Sequence, residues 1–320
     1  MPLDHFVSQV HLRNFYSPAL GKRMHALRKS DLKYFCPDSL SVCRVEHGST
    51  NPYLTDERAI EEFLRDIEPK YNRAVEAFSI GNPGRDAVYV LSGFVAYVLS
   101  CSPAGMRINS EPFRSSLEET GRILDARGEI GTPPAELGAT SLRDLFNRKL
   151  ARVEVDPKYP QAVGIASIHR MTNTFGNFGW EVLINRHADS PYFTSDFPVT
   201  IEPTADPRII KRIVPLSPTV AVRLHPNLAQ DTSSVDFSFR EFRCRVRTPS
   251  RQEIGIVNRL LVQGAESLVF YRDAHAWVEP FVRKNAAYRI EAHTQRMPYN
   301  TGSLLLSSLR LCADEARTKA

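Results

Sequence analysis

Residues 88–99, VYVLSGFVAYVL, constrain what this chain can fold into more than any other stretch. They are apolar almost all round the turn of a helix, so they must be enclosed. Twelve residues nevertheless fall short of the roughly 20 that cross a bilayer. The expectation is a buried helix inside a sizeable core. A chain of 320 residues with 42% apolar and 24% charged side chains can build that core, as one large unit or two smaller ones.

Helical periodicity surrounds this run. Ile60, Phe63, Leu64 and Ile67 share one side after Thr55, a plausible N-cap. Tyr71, Val75 and Phe78 continue the stripe past Pro69, which should bend or divide the helix. Asp86 caps the apolar run, residues 110–127 read as an amphipathic helix, and Leu142, Leu145, Phe146 and Leu150 suggest another before Pro157. Residues 22–48 suit a small hairpin. After about Gly176 the period changes to two. Trp180, Val182 and Ile184 alternate with Glu181, Leu183 and Asn185, and Val199–Ile201, Arg212–Pro215 and Val220–Leu224 follow as short strands of an irregular antiparallel sheet. Ser250 and Glu253 form a capping box for a late helix with Ile254, Val257 and Leu261 facing inward. Leu268–Tyr271 then reads as a strand, and 300–312 as a strand or a helix. The fold class is α+β: a mainly helical first half packed against a β-rich second half, with the 250–268 helix covering one side. Residues 1–320 form one domain, and a lobe boundary, if one exists, falls near 157–176.

Some functions lose support at this level. The opening MPLDHF has no basic segment followed by an apolar one, so neither secretion nor a membrane location is expected. Cys36, Cys43, Cys101, Cys244 and Cys312 are odd in number and scattered, which fits a reduced, cytoplasmic protein. There is no phosphate-binding Gly-x-x-x-x-Gly-Lys loop, no His-Glu-x-x-His motif and no Gly-x-Gly-x-x-Gly fingerprint, so ATP, zinc and nicotinamide chemistry are not indicated. Nor does Ser195 sit in a Gly-x-Ser-x-Gly elbow. Net charge is +5, and residues 207–259 hold ten Arg or Lys against four Asp or Glu. Such a basic region admits an anionic partner, DNA and RNA included. A protein partner stays open.

The opening DHFVSQVHLRNF sets His5, Gln9 and Arg13 four residues apart. In a helix that spacing aligns them on one side. In a strand it also aligns them, because it is even. The ordered phrases HFVSQVHLRNF, PYFTSDFPV, IVPLSPTVAVRLHP and NRLLVQGAESLVFYRD, over roughly residues 4–273, resemble the family of unknown function called DUF4238. The resemblance is carried by His5, Gln9, Arg13 and Phe15, by Thr194, Ser195, Asp196, Pro198 and Val199, and by Asn258, Gln263, Ala265 and Glu266. Phe6 and Ser8 depart from that family's usual His-Tyr-Val-Pro-Gln opening. The resemblance implies a fold family and no established activity.

Chemistry can be attached to these residues one at a time. His5 can transfer a proton near neutral pH, and Gln9 can orient it. Arg13 offers paired donors to a phosphate or carboxylate. Asp196 can orient His5, accept a proton or bind a divalent cation, provided that the N-terminus packs beside 193–199. Ser195 and Asp196 can equally satisfy backbone donors in a turn. Asn258, on the packed side of the late helix, can complete the pocket or cap a backbone group. Glu181 and Asp196, fifteen residues apart, can hold magnesium or manganese, although WEVLIN lacks the Glu-x-Lys pattern of many nucleases. In FREFRCRVR, Arg243, Arg245 and Arg247 alternate with apolar residues, so one face can meet phosphate or simply protect a sheet edge. Phe239 and Phe242 can add stacking. The reading that joins these residues is a phosphodiesterase or nuclease acting on nucleic acid. The alternatives are a non-enzymatic anion- or nucleic-acid-binding module and a protein-interaction or structural subunit.

Overall fold

A computed structural model describes residues 3–206, 209–230, 234–299 and 302–314. In chain order the helices are α1 (Gln9–Arg13), α2 (Ala59–Ile67), α3 (Tyr71–Ser79), α4 (Arg85–Cys101), α5 (Pro103–Ala126), α6 (Leu142–Asn147), α7 (Lys158–Ala166), α8 (Ile168–Gly176), α9 (Arg251–Gly264) and α10 (Val278–Asn285). The strands are β1 (Leu3–His5), β2 (His25–Arg28), β3 (Tyr34–Phe35), β4 (Arg44–Glu46), β5 (Gly179–Ile184), β6 (Thr194–Ser195), β7 (Thr200–Glu202), β8 (Lys211–Ser217), β9 (Val220–His225), β10 (Arg243–Arg247), β11 (Leu268–Tyr271), β12 (Tyr288–Tyr299) and β13 (Gly302–Ala313). The fold is α+β.

The apolar run lies within α4, where every side chain from Ala87 to Cys101 except Tyr89 is buried. No single helix among the described residues is long and apolar enough to cross a membrane. Pro69 divides its helix: α2 and α3 are joined by a short 3-10 turn at Glu68–Lys70. α2 begins at Ala59 rather than after Thr55, because the Asp56 and Arg58 segment is still a turn. The stretch 157–176 is two helices, α7 and α8, both packed on α4.

The larger sheet runs β10-β5-β9-β8-β7. It is antiparallel except at β10, which lies parallel to β5. The expectation of an antiparallel sheet is corrected there. After β9 the chain crosses over to the far side of β5 instead of turning back as a hairpin. Both faces of this sheet are covered. Trp180, Val182, Val214 and Val222 join the core built on α4, while Leu183, Ile213 and Ala221 pack on Ile254, Val257 and Leu261 of α9. The late helix thus covers the face that alternation leaves to the odd-numbered residues of β5.

A second sheet, β3-β2-β11-β6, is made from both ends of the chain. The hairpin expected within 22–48 is present at 25–35, and it finds its sheet partner at 268–271 in the β-rich second half. One face of this sheet meets Val7, Leu12 and Phe15 beside α1; the other meets Val278 and Val282 of α10. β12 and β13 form a long hairpin along α5, so 300–312 is strand over its described part.

Candidate functional site

The N-terminal segment is a strand followed by a one-turn helix, and this break keeps its polar residues together. β1 pairs with β4, which fixes His5 opposite Arg44. The Tyr97 hydroxyl, from buried α4, donates to the His5 carbonyl. Asp4 accepts from the Ser49 amide at 3.0 Å and pairs with Arg58 at 3.5 Å. Ser8 donates to Glu68. The strand end and α1 are therefore anchored on independent sides.

Arg13, Gln9 and His5 then form a chain. Arg13 Nη2 donates to Gln9 Oε1 at 2.9 Å, and Gln9 Nε2 lies 3.3 Å from His5 Nδ1. Arginine can only donate, so it fixes which end of the Gln9 amide faces it. The amide N–H₂ is left for His5, and Nδ1 must accept. The neutral tautomer with its proton on Nε2 follows. Burial lowers the His5 pKa below its ordinary value, so the neutral form dominates at pH 7; the Ser39 and Leu40 backbones oppose that shift in part. His5 Nε2 is itself buried and meets no hydrogen-bond partner among the described residues. The three residues line a cleft of about 690 Å³ together with Val10, Glu61, Leu64, Arg65 and Glu68. Sequence reasoning missed Arg65 and Glu68, which come from α2 and the turn that follows it; Glu68 is held there by Ser8.

Asp196 is elsewhere. Its Oδ1 accepts from the Glu266 amide at 2.9 Å, and its Oδ2 from the Ser267 and Leu268 amides at 2.8 and 3.0 Å. It borders a different cavity, of about 610 Å³, with Arg28, Cys43 and Ser267. The expected pairing of Asp196 with His5 is replaced by the capping of the α9–β11 connection, where three backbone donors compete better than one half-buried imidazole. Burial pushes the Asp196 pKa up to about 6, and the Ser267 amide and the Lys29 charge restrain it from rising further. Lys29 is buried and donates to the carbonyls of Ala265 at 2.6 Å and Tyr288 at 2.7 Å.

The neighbours of Asp196 are latches as well. Ser195 Oγ accepts from the Phe197 amide at 3.2 Å. Thr194 Oγ1 is 2.8 Å from Nε2 of His11, whose Nδ1 is 2.7 Å from the Tyr71 hydroxyl. Asn258 accepts from the Phe193 amide at 3.1 Å and donates to the Pro191 carbonyl at 2.9 Å. His11 was missed by sequence reasoning. Its signal is that Val7, His11 and Phe15 form one row at four-residue spacing, so a histidine there is drawn into an apolar face.

Glu181 does not join Asp196. It pairs with Arg223 and, at 2.5 Å, with Arg247; Arg223 also meets Glu202 at 2.8 Å and Glu253 at 3.3 Å. These charges bridge β5, β7, β9, β10 and α9. Ser250 Oγ accepts from the Glu253 amide at 3.3 Å, but the Glu253 carboxylate turns to Arg247, so the capping box closes only on one side. Among the described residues, no group of three or more His, Cys, Asp or Glu side chains is arranged to hold a metal ion. Of the basic strand, Arg247 belongs to this ion network, while Arg243 and Arg245 are exposed on the edge. Phe239 is buried and Phe242 packs edge-on against Phe78 and Trp180, which occupies both rings internally.

The family model described as a protein of unknown function (DUF4238) matches residues 4–275. No curated protein and no solved structure matches the chain.

Proposed function

The chain belongs to the DUF4238 family, whose description assigns no activity, and from the geometry of the N-terminal cleft we propose that it is a phosphodiesterase or nuclease. One observation carries the reading: Gln9 holds a neutral histidine and an arginine side by side at a cleft of about 690 Å³, within the size range of small-ligand sites. Arg13 receives a phosphate of the substrate, since its Nη1 has no protein partner among the described residues and Arg65 adds a second guanidinium. A phosphate oxygen that takes the Gln9 amide frees the Nδ1 lone pair of His5. Water then adds to phosphorus, the bridging P–O bond breaks, and one proton passes from the water to the leaving oxygen by way of His5. A magnesium or manganese ion carried by the phosphate would add Lewis-acid assistance.

The test is incubation with labelled single- and double-stranded DNA and RNA in magnesium, manganese or EDTA. His5→Ala and Arg13→Ala are the informative variants, because Asp196 supports the fold. We expect cleavage that falls by about 100-fold or more in folded His5→Ala protein. Undiminished cleavage in that variant, or none in the parent under every condition, contradicts the reading.

A second reading has its own observation. Arg243 and Arg245 stand exposed on an edge strand and form no ion pair among the described residues. A non-enzymatic module would bind nucleic acid there, without turnover and with steep salt dependence.

A further inference from the structure

Arg13 borders two cavities, not one. On one side is the cleft of about 690 Å³; on the other is a hollow of about 510 Å³ lined by Tyr16, Lys22, Asp38, Ser39 and Leu40. The partition between them is narrow and built. Arg13 Nε points to Ser39 Oγ at 3.5 Å. Tyr16 donates to that Oγ at 2.8 Å and accepts from the Ser39 amide at 2.9 Å. A guanidinium therefore stands between two hollows, each with an apolar wall: Val10 and Leu64 in the first, Tyr16 and Leu40 in the second.

A phosphate monoester has one substituent and needs one hollow. A diester has a substituent on each side of its phosphate. The geometry points to a single-stranded dinucleotide unit as the minimal ligand, with its bridging phosphate on Arg13 and one nucleoside in each cavity. This inference rests on the phosphodiesterase reading and adds its substrate class. Paired and stacked bases cannot separate into two hollows without unstacking, which favours single strands. The Tyr16 ring supplies a face for a base, and exposed Lys22 lies at the rim where the next phosphate of a longer strand would pass.

The experiment is calorimetric titration of the full chain with d(TpT), thymidine monophosphate and inorganic phosphate. We expect d(TpT) to bind at least tenfold tighter than the monophosphate, with Arg13→Ala weakening both. The ratio of the two affinities should collapse towards one in Tyr16→Ala. Lys22→Glu, which leaves the Tyr16–Ser39 contacts intact, should lower severalfold the advantage of d(TpTpT) over d(TpT) in a matching titration, since only the longer strand has a phosphate to reach it, and guards against misfolding in the first variant. If the monophosphate binds through Arg13 but d(TpT) binds no tighter, the two-cavity inference is overturned while the anion site stands. If none of the three ligands binds, the phosphodiesterase reading falls and this inference falls with it.

Discussion

His11 shows how one side chain can tie sequence-distant pieces together. It is fully buried, bridges Tyr71 and Thr194, and stacks on Phe94 with ring centroids 4.9 Å apart. Burial lowers its pKa to about 3. In the unfolded chain a histidine titrates near 6.5, so below that pH the unfolded state takes a proton that the folded state refuses. Stability is therefore lost as pH falls from 6.5 towards 3, by about 3 kcal/mol between 6.5 and 4. Asp196 acts in the opposite sense. Its folded pKa, about 6, lies above the unfolded value, so it adds stability as pH falls from 6 to 4. His11→Gln leaves Asp196 in place and isolates the histidine. Urea unfolding at pH 7 and pH 4 should show the parent losing about 3 kcal/mol more than the variant; equal losses would remove His11 from the account. His5, Gln9 and Arg13 were legible at this scale as residues at four-residue spacing, although His5 lies in β1 and the other two in α1, and Arg65 and Glu68 of the same cleft were not. The partner of Asp196 was not. A carboxylate chooses among donors that meet only in three dimensions, and the amides of Glu266, Ser267 and Leu268 lie seventy residues on.

At the scale of elements, α9 is the part most tightly specified. Its inward stripe packs on the sheet face opposite α4, and its C-terminal end lies against β7. A Cβ on Gly264 would come within 2.3 Å of Thr200 Oγ1 and 2.9 Å of Thr200 Cβ, while Thr200 Oγ1 donates to the Leu260 carbonyl at 2.7 Å. Gly264→Ala should therefore destabilise by about 2 kcal/mol through overpacking. Gly255, on the same helix, has open space where its Cβ would stand. Gly255→Ala should stabilise by about 0.5–1 kcal/mol through helix propensity. Thermal unfolding of the two variants should move in opposite directions; parallel shifts would mean that α9 is not held against β7 as described. The helix and its cap were readable from Ser250 and the apolar stripe. The turning away of Glu253 was not, because Arg223 and Arg247 come from β9 and β10. Two-residue periodicity identified β5, β8 and β9, yet it carries no direction, so the parallel entry of β10 was hidden.

Across the whole molecule, the core around α4 reaches from Ile60 to Ile290, beyond residue 275 where the family match ends. The β12–β13 hairpin is joined to the rest by Ile290 and by Lys29, which bonds the Tyr288 carbonyl. The α+β class was legible from the change of period near Gly176. The second sheet was not, since it pairs residues 25–28 with 268–271. The two cavities meet at Arg13 because the Tyr16–Ser39 hydrogen bonds hold the 38–40 turn beside α1. The central claim, that the His5–Gln9–Arg13 cleft receives a phosphodiester, is tested most directly by following the histidine ring nitrogens by NMR during titration with d(TpT) at pH 7. The account predicts that the His5 signals shift as Gln9 is drawn to the phosphate, while those of His11 stay fixed. His5 signals that remain unmoved at saturation, with the amides of Arg243–Arg247 shifting instead, would contradict it and place the ligand on the edge strand.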